Sequence, residues 1–224
     1  MGRITKCDAI VFDMDGVIFD SERLVLSCWE KVAEKYRFEG MHEVFMPCIG
    51  TNSVKTKEIV LDHYGRDFPY DKFSIEVSAL FHDIADSGGL ALKKGIRELL
   101  DYLKEEGIPT AVASSTRLEV VTKQLKQAGL YDYFKVVTGG DQLKRSKPEP
   151  DIYLLTCEKM GVSPANAYAI EDSYNGIRSS YGAGMMPVMV PDMLPPTDEM
   201  REKSVIVLED LLQVRDWFMR QYGS

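Results

Sequence analysis

Two carboxylates one residue apart close a short apolar run, Ala9-Ile10-Val11-Phe12-Asp13-Met14-Asp15-Gly16. On a regular strand, residues i and i+2 point to one side. There Asp13 and Asp15 would repel each other and invite a divalent cation or a shared proton. The same Asp-x-Asp-Gly pattern also serves as plain turn chemistry at a solvated strand end, and Gly16 permits a sharp turn with positive φ. Further along, Ser114-Ser115-Thr116 offers hydroxyls and amides ahead of a helix, the makings of an anion site or of an N-cap. The phosphate role is preferred for Ser114, and N-capping for Ser115 and Thr116. Lys147 lies in Arg145-Ser146-Lys147-Pro148-Glu149-Pro150. Its prolines stiffen the neighbouring backbone, and a stiff loop aims an ammonium at a fixed anion. The alternative is a surface Lys ahead of a helix that starts near Pro150. A second acidic pair, Glu171-Asp172, precedes Ser173. Its hard oxygens suit Mg²⁺; capping of the next helix by Asp172 or Ser173 is the other reading. Each group has a bland explanation, but chance is a poor account of all four in this order.

These residues sit where strands end. The run Ala9–Phe12 is short, apolar and bounded by turn signals, which predicts a buried strand of a parallel sheet. Strand-like runs recur at Pro109–Ala113, Lys135–Thr138, Ala167–Ile170, Pro187–Val190 and Val205–Leu208. Helical patterns lie between them. Ile96, Leu99, Leu100 and Leu103 share a face before Gly107; Val120, Val121, Leu125, Ala128 and Leu130 form another around Gly129; Ile152, Leu155 and Met160 precede Gly161. Strands alternating with helices predict βαβ units and an α/β fold, a doubly wound parallel sheet of Rossmann-like form. Such sheets hold ligands at the carboxyl ends of their strands.

One segment breaks the alternation. Ser21 to about Ser87 contains no strand pattern and reads as helices separated by Gly40, by Pro47–Ser53 and by Gly65–Tyr70. The expected organisation is a core of residues 1–19 and 88–224 with a helical cap domain, residues 20–87, inserted between them. An insertion directly after a carboxylate loop has the makings of a lid.

Composition narrows the partners. The 224 residues are 45% hydrophobic, enough for a sizeable core, and carry a formal net charge of -8 with a pI near 5.0. That balance argues against a nucleic-acid partner, whose phosphates need a basic face. It leaves room for a small phosphorylated ligand, because one cation and one Lys reverse the local sign. Cys7, Cys28, Cys48 and Cys157 form no Cys-x-x-Cys pair, so buried free thiols in a reducing compartment are expected rather than a zinc or dithiol site. His42, His63 and His82 lack ligand spacing and are placed on helix surfaces. With no signal peptide and no run long enough to span a bilayer, the expectation is a cytoplasmic monomer without a membrane partner.

The sequence resembles the haloacid dehalogenase (HAD) superfamily across essentially its whole length. Asp13-Met14-Asp15-Gly16-Val17 is similar to its first motif, and Ser114, Lys147 and Glu171-Asp172 match the second, third and fourth. Ser146-Lys147-Pro148-Glu149-Pro150-Asp151-Ile152-Tyr153 and Glu171-Asp172-Ser173-Tyr174-Asn175-Gly176-Ile177 resemble the branch holding β-phosphoglucomutase and many sugar-phosphate phosphatases. The resemblance implies that Asp13 is a nucleophile forming an aspartyl phosphate and that Asp15 is a general acid-base. It implies Mg²⁺ held by Asp13, the backbone carbonyl of Asp15 and Asp172 with Glu171 in support, and phosphate bound by Ser114 and Lys147. Gly50, Thr51, Asn52 and Ser53 would touch the leaving group. Where β-phosphoglucomutase has a His on its first cap helix and an Arg after the cap-loop Gly, this chain has Val25 and Ser53; Lys94 stands where a Pro is common. The resemblance therefore implies a Mg²⁺-dependent phosphatase of a small metabolite, with a sugar phosphate as the expected substrate. A phosphomutase is the alternative, and a receiver-type phospho-acceptor domain a more distant one.

Overall fold

The computed structural model describes residues 7–49, 51 and 53–222. The chain divides into two compact units, Met1–Phe19 with Leu92–Ser224, and Asp20–Ala91. The second break falls beyond the Gly88-Gly89 signal, where the sequence pattern leads one to expect it. Residues 88–91 stay with the helical unit, where the Asp20 N–H donates to the Ala91 carbonyl at 2.9 Å. Leu92 opens the return: it bridges to Phe19, and the Lys93 N–H donates to the Ile18 carbonyl at 2.9 Å.

The larger unit is built on six strands among the described residues: β1 (Ala9–Phe12), β2 (Thr110–Ser114), β3 (Phe134–Gly139), β4 (Ala167–Glu171), β5 (Met186–Met189) and β6 (Ile206–Val207). They pair in parallel in the order β3-β2-β1-β4-β5-β6. Every residue of β1, β2 and β4 is buried, as unbroken apolar runs in the centre of a parallel sheet require. The last strand, β6 at an edge of the sheet, is only two residues long, shorter than its apolar run.

The two faces of the sheet are filled differently. Ala9, Ala111, Ala113, Ala167 and Ala169 line one face and pack with Ile152, Tyr153, Cys157 and Met160 of a helix at Asp151–Met160. Small side chains on the sheet let that helix lie close, which carries Tyr153 and the preceding Lys147 loop up to the strand ends. On the opposite face Tyr168 meets Trp217 and Phe218 edge-on, with centroids 5.6 and 5.2 Å apart. Those two rings belong to the helix Leu211–Tyr222. Such edge-to-face aromatic pairs add about 0.5–1.5 kcal/mol beyond their buried area.

The smaller unit holds helices Ser21–Tyr36, Met41–Phe45, Ser53–Tyr64 and Tyr70–Asp86, with no strand among its described residues. Its core centres on Trp29, which packs edge-on against Phe45 and Phe73. His42, His63 and His82 are exposed on these helices. All four cysteines are free and buried. No described helix is long and apolar enough to cross a membrane.

Candidate active site

Backbone pairing brings the two acidic motifs together. Phe12 is in register with Ile170, and the Asp13 N–H donates to the Ile170 carbonyl at 3.0 Å, which sets Asp13 beside Glu171. Strands β1 and β4 flank the point where the order of the sheet reverses, the usual crevice of an open α/β sheet. The period-two argument for Asp13 and Asp15 does not apply, because β1 stops at Phe12. A tight loop places them instead: the N–H groups of Ile18 and Phe19 both donate to the Met14 carbonyl, at 2.8 and 3.1 Å. Within it Gly16 has φ +76°, and a Cβ there would lie 2.2 Å from Asp172 Oδ2. Only glycine suits both the turn and the carboxylate packed on it.

Lys147 is not a surface residue. Its side chain is 8% exposed, and Nζ donates to Asp13 Oδ1 and Glu171 Oε1, each at 2.6 Å, and to the Ala113 carbonyl at 3.3 Å. Burial pushes Asp13 up to about 7; the Lys147 ammonium pulls it back, while the charges of Glu171 and Asp15 add to the rise. Burial works against the charge on Lys147, but Asp13 and Glu171 outweigh it and hold the ammonium above its ordinary range. Glu171 is fully buried. Besides Lys147, its Oε1 accepts from the Tyr153 hydroxyl at 2.5 Å, and its Oε2 from the Ser173 hydroxyl at 3.1 Å. A Cβ on Gly176 would come within 1.9 Å of that carboxylate, so the helix Tyr174–Gly182 needs glycine there to leave it room.

A cation fits this donor set. Asp13, Glu171 and Asp172 each offer an oxygen within 4.8 Å of the others. Three carboxylates gathered around one ammonium leave local negative charge, and hard oxygens favour Mg²⁺ or Ca²⁺ over softer ions.

One hydroxyl assignment changes. Thr116, expected to cap the following helix, instead donates from Oγ1 to Asp15 Oδ2 at 3.1 Å. That helix begins at Leu118, whose N–H is taken by Asp141 Oδ1 at 2.8 Å. Ser114 is fully buried at the end of β2, and its Oγ accepts the Thr116 N–H at 3.1 Å. Ser173 does cap its helix, accepting the Gly176 N–H at 3.0 Å. The sequence places Tyr153 in a motif but gives it no role, because the apolar pattern phases its helix on Ile152, Leu155 and Met160. The buried face is Ile152, Tyr153, Thr156, Cys157 and Met160. A Tyr on such a face was the available signal, since a buried phenol seeks a polar partner.

In the helical unit, Thr51 and Ser53 are exposed. Thr51 Oγ1 donates to the Cys48 carbonyl at 2.7 Å, and Ser53 opens the helix Ser53–Tyr64. Gly50 and Asn52 lie outside the described residues. Val25 is half-buried on Ser21–Tyr36. Lys94 is exposed and pairs with Asp210 at 2.7 Å.

The chain is similar to known proteins. A family model described as haloacid dehalogenase-like hydrolase matches residues 10–190. A phosphorylated carbohydrates phosphatase of Thermotoga maritima is 30% identical over 182 residues, which span 80% of this chain and 82% of that protein. The beta-phosphoglucomutase of Bacillus subtilis is 30% identical over 212 residues, 90% of this chain and 92% of its own. Among solved structures, CbbY from Rhodobacter sphaeroides in complex with phosphate superposes with a TM-score of 0.71 at 26% identity, covering 93% of this chain and 96% of that one.

Proposed function

The chain belongs to the haloacid dehalogenase-like hydrolases as a phosphoric monoester hydrolase, and from that premise we propose that it is a Mg²⁺-dependent phosphatase of a small phosphorylated metabolite, a sugar phosphate above all. The observation that carries this reading is the Asp13–Lys147–Glu171 bridge, with both contacts at 2.6 Å and Asp172 alongside. It supplies a buried nucleophile, a fixed counter-charge and a cation site at the carboxyl ends of the sheet.

Asp13, Glu171, Asp172 and the carbonyl of Asp15 would hold the Mg²⁺, which when bound screens the Asp13 carboxylate from an anionic phosphate. An oxygen of Asp13 attacks phosphorus, and the bond from phosphorus to the leaving oxygen breaks. Asp15 donates the proton that the leaving oxygen takes up. It then accepts a proton from the water that attacks the aspartyl phosphate, and inorganic phosphate departs with Asp13 restored. Splitting one displacement in two is the gain from a covalent nucleophile. Thr116 orients Asp15 through the bond to Oδ2. Lys147 lies beside the attacking carboxylate, where its charge stabilises the equatorial oxygens of the transferring group, and the Ser114 hydroxyl adds a donor.

We assign substrate choice to the helical unit. Its Val25 and Ser53 lack the polar link and the second-phosphate grip of a His and an Arg. A bidentate Arg contact to phosphate is among the stronger charge-assisted interactions, about 1.5–3 kcal/mol per hydrogen bond. Without it a bisphosphate leaves readily and water competes for the phosphoenzyme. The beta-phosphoglucomutase relative keeps a phosphomutase as the second reading. A receiver-type domain fits poorly, because here the acceptor Asp follows the first strand and a helical unit comes next.

The deciding assay supplies β-glucose 1-phosphate and a panel of other sugar phosphates with Mg²⁺ and trace glucose 1,6-bisphosphate. It measures free phosphate and glucose 6-phosphate side by side. Phosphate release without isomerisation is expected; rapid glucose 6-phosphate formation with negligible phosphate overturns the phosphatase reading. Excess chelator on metal-stripped protein is expected to abolish release, and Mg²⁺ to restore it. Undiminished hydrolysis there overturns the mechanism.

A further inference from the structure

Tyr153 is buried to 0% exposure, yet its hydroxyl reaches into the polar cluster rather than ending in the core. It donates to Glu171 Oε1, the same oxygen that accepts from Lys147 Nζ. Its ring also faces the ammonium, with Nζ 5.1 Å from the centroid, a cation–π distance. The other oxygen of Glu171 is taken by Ser173, and Gly176 leaves a slot with no side chain in it. Glu171 is thus clamped at both oxygens, and Lys147 is steadied by the same phenol from two directions.

We propose that Tyr153 is a positioning residue for the cation site and for the nucleophile. It fixes the rotation of the Glu171 carboxylate and keeps Lys147 shared between Glu171 and Asp13. Phenylalanine would preserve the packing and the ring face but remove the donor. Oε1 would then depend on Lys147 alone and draw the ammonium toward Glu171 at the expense of Asp13. The carboxylate, freed to rotate, would have to be ordered by each arriving cation. Groups that orient metal ligands in this way are typically worth 10–100-fold in affinity or activity.

This inference rests on the reading of Asp13, Glu171 and Asp172 as a cation site. Its test titrates Mg²⁺ by calorimetry into the full chain without substrate, as wild type, Y153F, E171Q and the double variant, with kcat, KM and melting temperature alongside. Expected for Y153F are Mg²⁺ binding weakened about tenfold and kcat lowered about tenfold with KM unchanged. In the E171Q background Y153F should change Mg²⁺ affinity no further, because the phenol acts through that carboxylate. A Y153F protein that melts early but binds Mg²⁺ like wild type overturns the proposal, as does an equal loss with Gln at position 171. If the wild type itself takes up no Mg²⁺, the cation-site reading falls and this inference with it. If E171Q weakens binding and Y153F does not, the inference alone falls.

Discussion

Asp13→Asn is expected to lower phosphate release by more than about 10⁴-fold while the protein stays folded. An amide oxygen is nearly the shape of the carboxylate oxygen it replaces but is a poor nucleophile and a weaker ligand for a hard cation. The fold should tolerate the change for three reasons. Lys147 keeps Glu171 as counter-ion at 2.6 Å, so no buried charge is stranded. The Asn carbonyl still offers Lys147 an acceptor. The exchange also removes a carboxylate that burial holds up near 7, a sign that its charged form is uncomfortable there. The melting temperature should therefore stay within roughly 4 °C of wild type, the shift that about 1 kcal/mol makes in a chain of this size. Phosphate release and thermal melting check the two parts, and mass spectrometry verifies Asn at position 13. Wild-type turnover in a verified variant removes Asp13 from the nucleophile's role. Unfolding would instead mean that the Asp13–Lys147 bond holds the strand ends together.

What could be read from the chain and what could not divide along the range of the interactions. The apolar run Ala9–Phe12 announces a central strand because both its faces are buried, and burial leaves a local record. The return to a strand–helix alternation after residue 87 marks an inserted helical unit in the same way. The partners of polar side chains leave no such record. Thr116 looks like a cap because it stands just ahead of a helix, but its hydroxyl is bonded to Asp15, 101 positions away. The real cap of that helix comes from Asp141, 23 positions on, across a loop. At Asp151–Met160 the buried face differs from the apolar stripe for a related reason. Thr156 is buried on the core face, made tolerable by bonds to the Ile152 carbonyl at 2.7 Å and to Thr138 Oγ1 at 2.9 Å. A hydrophobic pattern cannot anticipate a hydroxyl that tertiary contacts have satisfied, so the apolar stripe in the sequence runs through Leu155 rather than Tyr153. The second unit boundary differs from the one expected at residues 87/88 on the same principle. Gly88-Gly89 is a local turn signal, whereas the division is set by Asp20 bonding to Ala91 and by Phe19 bridging to Leu92.

The second large effect is expected at Asp15, and it should separate the two halves of the reaction. Asp15→Asn leaves an oxygen to accept the Thr116 hydroxyl, which now bonds Oδ2 at 3.1 Å, so the loop Met14–Phe19 should keep its form. What disappears is the exchangeable proton. With an alkyl phosphate the leaving alkoxide then departs unprotonated, and turnover should fall roughly 10²–10⁴-fold, the usual worth of general acid-base catalysis. With an aryl phosphate, whose leaving group is stable as an anion, the first step needs little help. The second step still lacks a base to activate water. Phosphate transfer to Asp13 should therefore outrun hydrolysis, and a phosphoprotein should accumulate. Rapid acid quench followed by mass spectrometry should find one added phosphoryl group on the peptide carrying Asp13 and none in the Asp13→Asn, Asp15→Asn pair. A burst of the aryl product equal to the enzyme concentration, followed by a slow steady rate, would report the same event in solution. Undiminished turnover of alkyl phosphates by the single variant would assign the proton to another group. A slow steady rate with no burst and no phosphoprotein would mean that Asp15 serves the first step alone. The trapped species thus decides whether one carboxylate, steered by a threonine just past the end of the neighbouring strand β2, works as acid first and base afterwards.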